Sequence, residues 1–286
     1  MLQQKGRKRI KTDKRDAERI AKCLAYGTYQ SVHVPTREDE EVRAYIRMRD
    51  DHMLAFKKIK QQINAFCLRL GNHYSGGRSK WTHAHLHWLL NLELSELNRE
   101  ILDEYLVSYH HAANRLEGFN KRIEELAARD RYRDQVKRLS CFIGMKTYTC
   151  LSLIVETSDF QRFAKAEHFA SYLGLTPGEI SSGDTIRRTG ITKAGNKQMR
   201  SLLVEAAHSI GRGQIGYISK ALAARQQDNP PKVIAYANRA NERLRRKFYR
   251  MIRRGRKYNV VITAIARELA CFVWGMMTNN IDVRQA

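Results

Sequence analysis

The run Phe56-Lys57-Lys58-Ile59-Lys60-Gln61-Gln62-Ile63-Asn64-Ala65-Phe66-Cys67-Leu68-Arg69-Leu70 decides the fold class. Phe56, Ile59, Ile63, Phe66 and Leu70 follow a three-four-three-four spacing, which places them on one seam of a helix and leaves the basic residues outside it. A second seam runs Tyr105, Tyr109, Ala112, Leu116, Phe119, Ile123 and Leu126. Residues 71–80, rich in glycine and serine, can reverse the chain between them. Two antiparallel helical arms are expected, either as a hairpin or as an oligomerisation surface.

Outward from the arms the chain stays helical in character. Four prolines in 286 residues and a mixture rich in Ala, Leu, Arg, Lys and Glu point to a mainly α protein. Upstream, a helix is predicted from near Thr12 or Asp13 to Ala25, ended by Gly27, with a short extended piece at residues 31–35. Residues 1–12 form a basic arm. Downstream, a globular part begins at Leu139. Helices are predicted over about 166–173, 197–209, 242–252 and 260–277, with Asn229-Pro230-Pro231 as a break and residues 253–257 as a basic turn.

Charge narrows the partners. Lys and Arg total 52 against 29 Asp and Glu, a formal net charge of +23. A surplus of that size favours a polyanion. The most apolar run, residues 270–277, is too short to cross a bilayer, and no leader or lipidation motif is read at the start, so nucleic acid is favoured over membrane. Five scattered cysteines without a Cys-x-x-Cys pair suggest neither a disulfide framework nor a zinc knuckle, and fit a reducing cytoplasm.

Residues 174–200 combine three abilities found together nowhere else in the chain. Ser181 and Ser182 supply hydroxyls, Arg187, Arg188, Lys193, Lys197 and Arg200 can neutralise phosphate, and the glycines allow close backbone approach. Phosphodiester chemistry is the expectation, although a Ser-Gly pair is often only turn chemistry. The stretch from Gly190 to Lys197 approaches a phosphate-binding loop, but Asn196 intrudes and no strand is expected before it, so nucleotide hydrolysis is rejected. His83, His85 and His87 could share a metal on a strand and would diverge on a helix, and Trp81 and Trp88 could stack on RNA bases. Asp13 and Asp16 are three apart, so both carboxylates face one side of a helix; that spacing suits an N-terminal cap or Mg²⁺, and alone favours the cap.

Lys11-Thr12-Asp13-Lys14-Arg15-Asp16-Ala17, Gly174-Leu175-Thr176-Pro177 with Ser182-Gly183, and Thr192-Lys193-Ala194-Gly195 with Arg200 together resemble the motifs of the insertion-sequence-110 family of transposases. The resemblance covers nearly the whole chain. It implies residues 1–35 as the end of a RuvC-like, RNase H-type α/β nuclease domain, 36–135 as a helical coiled-coil region, and 136–286 as a serine-bearing transposase domain. It implies Ser182 as nucleophile in DNA strand exchange, Asp13 and Asp16 as members of an Asp-Glu-Asp-Asp set holding Mg²⁺, and the five cations as phosphate contacts. DNA, a structured noncoding guide RNA and a homo-oligomer through the arms are the implied partners. Two departures stand out. The first Asp and the Glu of the acidic set lie upstream of the Lys-Thr-Asp motif in the family, so an N-terminally truncated, incomplete enzyme is expected. Phe142-Ile143-Gly144-Met145-Lys146 replaces an Ile-Pro-Gly-Ile-Gly turn. The rival expectation is a noncatalytic DNA- or RNA-binding remnant.

Overall fold

The computed structural model describes residues 12–29, 32–182 and 185–281. The chain divides into two compact units, Met1–Thr36 and Arg37–Ala286. In the first, α1 (Asp13–Ala25) starts on Thr12, whose side chain accepts from Arg15 N at 3.4 Å, and ends before Gly27 at φ +59°. The cap is therefore Thr12, and Asp13 and Asp16 lie in the first turn, where the helix dipole favours carboxylates. Residues 1–11, with the predicted basic arm, and Ser31 fall outside the described residues.

The second unit opens with α2 (Arg37–Arg69) and, after the turn at Gly71 and Gly77, the short α3 (His83–Leu90) and long α4 (Glu96–Ala127). Ring contacts Tyr45–Phe119, Phe56–Tyr109 and Phe66–Tyr105 run in opposite chain directions, so α2 and α4 are an antiparallel hairpin. Ile63 and Phe66 from the first seam and Tyr109, Leu116, Ile123 and Leu126 from the second are buried, joined by Leu102 and Leu106. The hairpin has two separate apolar clusters. One, at the tip, gathers Ile63, Phe66, Leu89, Leu102, Leu106 and Tyr109. The other, at the base, merges Val42, Ile46, Ile123 and Leu126 into the main core.

That core is built by α5 (Asp130–Leu139), α6 (Thr147–Thr157), α7 (Ala166–Tyr172), α8 (Lys197–Gly211), α9 (Lys220–Gln226), α10 (Pro231–Arg253) and α11 (Tyr258–Met277). Between α7 and α8 stands a single antiparallel hairpin, β1 (Pro177–Ser182) with β2 (Thr185–Ile191). Helices thus dominate, as expected. α10 begins at Pro231, eleven residues before its predicted start near Glu242, because Pro231 occupies the first helical position, where its missing N–H costs nothing. Val233, Tyr236, Ala237, Ala240, Leu244 and Phe248 then bury one stripe of it. α11 has 20 residues and is long and apolar enough to cross a membrane by those measures, so the length argument made from residues 270–277 does not hold. It instead packs among α5, α7, α8 and α10 as the central helix of the core.

Candidate functional site around the serine hairpin

The hairpin projects Ser182 at its free end. Register pairs Ser182 with Thr185, Ser181 with Ile186, Ile180 with Arg187 and Glu179 with Arg188. Because side chains alternate across a strand, Ser182 and Arg187 share a face on diagonal positions, about 7–8 Å apart at the backbone. Both are exposed. The Ser181 hydroxyl donates to Glu179 Oε1 at 2.7 Å, whereas Ser182 Oγ has no hydrogen-bond partner among the described residues. Gly183 and the side chain of Arg188 lie outside what the structure describes.

The root of the hairpin is fixed by close backbone packing. Thr192 N donates to Thr176 O at 2.9 Å and Lys193 N to Gly174 O at 3.1 Å. Gly174 at φ +67° and Gly195 at φ +126° allow this approach, since a Cβ at the first would strike Ala194 O and at the second Tyr172 O. The sequence thus spends its motif glycines on chain crossing. A strand, β2, does precede the loop that approaches a phosphate-binding motif, contrary to expectation, but two of the loop's N–H groups are spent on the opposite chain and Asn196 caps α8 by accepting from Met199 N at 3.1 Å.

Of the predicted cations, Lys193 and Lys197 are exposed at this root, and Arg200 is half-buried with its guanidinium donating to Leu173 O at 2.8 Å. Seven residues of β2 separate the root from the tip, roughly 20 Å of extended chain. The structure therefore gathers Ser182 with Arg187, and places Lys193, Lys197 and Arg200 at the far end.

A polar network that motif reading did not reach ties this root to α2. Glu156 is buried at the end of α6. It accepts a two-pronged bond from Arg47 at 3.0 and 3.1 Å and another from Asn196 Nδ2 at 2.7 Å. Asp50 accepts from Tyr148 Oη and Gln198 Nε2, each at 2.6 Å. Burial, then the Asp50 carboxylate, pushes the Tyr148 hydroxyl well above its ordinary range, so it stays a donor. The available signal was an acid closing the apolar run Leu151–Val155, where an unpaired carboxylate would cost several kcal/mol.

Elsewhere, His83, His85 and His87 lie on helix α3, where His83 and His87, one turn apart, share the exposed face and His85 is turned inward. His85 is buried against Tyr74, Trp81 and Trp88, and Trp81 stacks on Tyr109 with ring centroids 5.1 Å apart. Among the described residues no three His, Cys, Asp or Glu side chains converge as metal ligands. Asp13 and Asp16, one turn apart on α1, do not make up the donor set that Mg²⁺ needs in a phosphoryl-transfer centre. The turn at residues 142–146 also serves packing: a Cβ on Gly144, at φ +80°, would sit 2.5 Å from Ala206 O in α8.

An exposed serine on the same hairpin face as an arginine, carried by a helical core, is an arrangement able to present a hydroxyl to a polyanion. Residues 136–221, from the last turn of α5 to the start of α9, match the model of the transposase IS116/IS110/IS902 family. The chain is 32% identical over 285 residues to the y4qE protein of Sinorhizobium fredii, whose name calls it a candidate transposase; the match covers 96% of this chain and 67% of that one. It is 30% identical to the transposase for insertion sequence element IS1533 of Leptospira borgpetersenii, over 84% of this chain and 70% of the other. A transposase for element IS1111A of Coxiella burnetii is 25% identical over 71% of this chain and 55% of its own length. The chain belongs to the IS116/IS110/IS902 family of insertion-sequence transposases.

Proposed function

We propose that the chain acts in DNA strand exchange for an insertion sequence, with Ser182 as the nucleophile. The observation that carries this is an exposed Ser182 hydroxyl, without a hydrogen-bond partner among the described residues, on the same hairpin face as Arg187. Attack of Ser182 Oγ on a backbone phosphorus would form a phosphoserine bond as the sugar oxygen leaves, so that one ester replaces another and strands can be rejoined. Arg187 would offset charge on the non-bridging oxygens. Among the described residues no carboxylate or imidazole bonds Ser182, so the reaction also needs an acceptor for the serine proton. The roughly 20 Å from Ser182 to the root matches about six nucleotides of one duplex strand, which lets Lys193 and Lys197 grip the same strand downstream.

The same reading extends to a structured guide RNA from the element as a second polyanion and to pairing of protomers through the α2–α4 arms. The unpartnered serine also supports a second reading, a noncatalytic nucleic-acid-binding protein of this family. Incubation with element-end DNA separates the two. The first expects a denaturation-resistant protein–DNA adduct that Ser182→Ala abolishes and Ser181→Ala retains. An adduct that persists in Ser182→Ala would reject the assignment, and salt-sensitive binding with no adduct from the native chain would favour the second reading.

A further inference from the structure

α10 carries its cations in a pattern that packing does not require. Arg239, Arg243, Arg246, Arg250 and Arg253 succeed one another at intervals of four, three, four and three, which keeps them on one face. The opposite stripe is locked into the core, so this face points outward. Arg243 pairs with Glu268, and Arg246 with Glu242. Arg239, Arg250 and Arg253, followed in the turn by Arg254, Arg256 and Lys257, are exposed and make no ion pair among the described residues.

Two plainer explanations fall short. The negative end of the α10 dipole favours cations in its last turn, which accounts for Arg250 and Arg253 but not for Arg239 or the turn beyond. Solubility is served by mixed charge, whereas these six cations pair with no carboxylate among the described residues. The span from Arg239 to Arg253 is about 21 Å of helix, and an equal length of duplex carries about 12 backbone charges.

The patch also has a fixed relation to the serine hairpin. α8 starts at the hairpin root with Lys197, and near its other end His208 stacks on Tyr258, the residue after Lys257, with centroids 5.6 Å apart and a 3.1 Å hydrogen bond. Gly211 of α8 packs on Phe248 of α10. The eleven-residue rise from Lys197 to His208 separates the two basic regions by about 17 Å.

We infer that the outward face of α10 and the turn behind it form a second site for a sugar–phosphate backbone, held by α8 at a set distance from the hairpin. This rests on the chain being a nucleic-acid-handling protein but not on Ser182 being a nucleophile. The test is the salt dependence of binding of the full chain to duplex DNA and, separately, to duplex RNA of equal length. Replacing Arg239, Arg250, Arg253 and Arg256 together by Gln should reduce the slope of log affinity against log salt by about three to four units on at least one duplex. The matching set of Arg→Lys changes should keep the native slope, and Arg187→Gln with Lys193→Gln should lower it independently by about two. The duplex whose slope falls identifies the source of the phosphates. An unchanged slope on both duplexes, or an equal fall in the Lys set, would overturn this site while leaving the adduct chemistry intact. A native chain that binds neither duplex would overturn the proposed function as well.

Discussion

Asp39 shows what a single charged residue contributes to this fold. It is 1% exposed and accepts a two-pronged bond from Arg131 at 2.8 and 2.7 Å, with further bonds from Tyr132 at 2.9 Å and Ser158 at 2.7 Å. Burial alone would raise its pKa, but the bonds from Arg131, Ser158 and Tyr132 outweigh it and hold the carboxyl at about 2. A depressed carboxyl stabilises the fold above its unfolded pKa near 3.8, and that stabilisation is lost as pH falls toward 2. Asp39→Asn should therefore cost about 2–3 kcal/mol at neutral pH. Chemical denaturation at pH 7 and at pH 3 should show the gap between native and variant narrowing in acid. Such residues leave no motif. Asp39 sits among Glu38, Glu40 and Glu41, and only its burial distinguishes it.

At the scale of elements, glycine turns and aromatic packing set the sensitive points. Gly144→Ala would place a Cβ 2.5 Å from Ala206 O at a left-handed φ of +80°, and should cost about 2–3 kcal/mol, lowering the melting temperature by about 5–10 °C. Gly118→Ala, where nothing lies within 4 Å, serves as the control and should be neutral or slightly stabilising. The arm tip should respond to pH. Burial, then the nearby Lys80 charge, lowers the His85 pKa below 6.5, so the imidazole is neutral in the folded tip. The unfolded tip binds the proton more readily, so its stability should fall as pH drops below 6.5. Tryptophan fluorescence from Trp81 and Trp88 should report this between pH 7 and 5, and His85→Phe should flatten the profile. A native profile already flat over that range would refute the assignment.

The same scale shows how much of the molecule was legible in its sequence. The seams at residues 56–70 and 105–126 announced α2 and α4, because a repeat of three and four is a direct image of helix geometry. The sequence does not announce the hairpin β1–β2. Its strands are short, and their exposed residues do not alternate between apolar and polar, so the period-two signal is absent. α5 was hidden by its charge: only Tyr132, Val136 and Leu139 of its ten residues are buried. Ser182 and Arg187 were visible as types, while the separation of Lys193, Lys197 and Arg200 from them required the strand register. The Glu156 network joins residues 109 positions apart, beyond the reach of any local pattern.

For the whole molecule, the two clusters of the second unit should behave as separate cooperative parts. Leu153 lies in the main core and Leu89 in the tip, both fully buried. Leu153→Ala should lower global stability by about 2–5 kcal/mol, whereas Leu89→Ala should mainly open the tip. Amide hydrogen exchange distinguishes them: the first variant should speed exchange across α6, α8 and α11, the second only across α3 and the distal turns of α2 and α4. Uniform acceleration in both would mean one cooperative unit.

Between those clusters Leu116 is buried, and polar contacts join the two arms beside it. His52 rests on Phe119, and Arg49 reaches Asn120 at 3.1 Å. From Asp50 to Gly71 the arm extends about 31 Å, and α2 and α4 both pass this point as unbroken helices. Bending both helices by about 10° there would carry the tip through about 5 Å, nearly one helical turn.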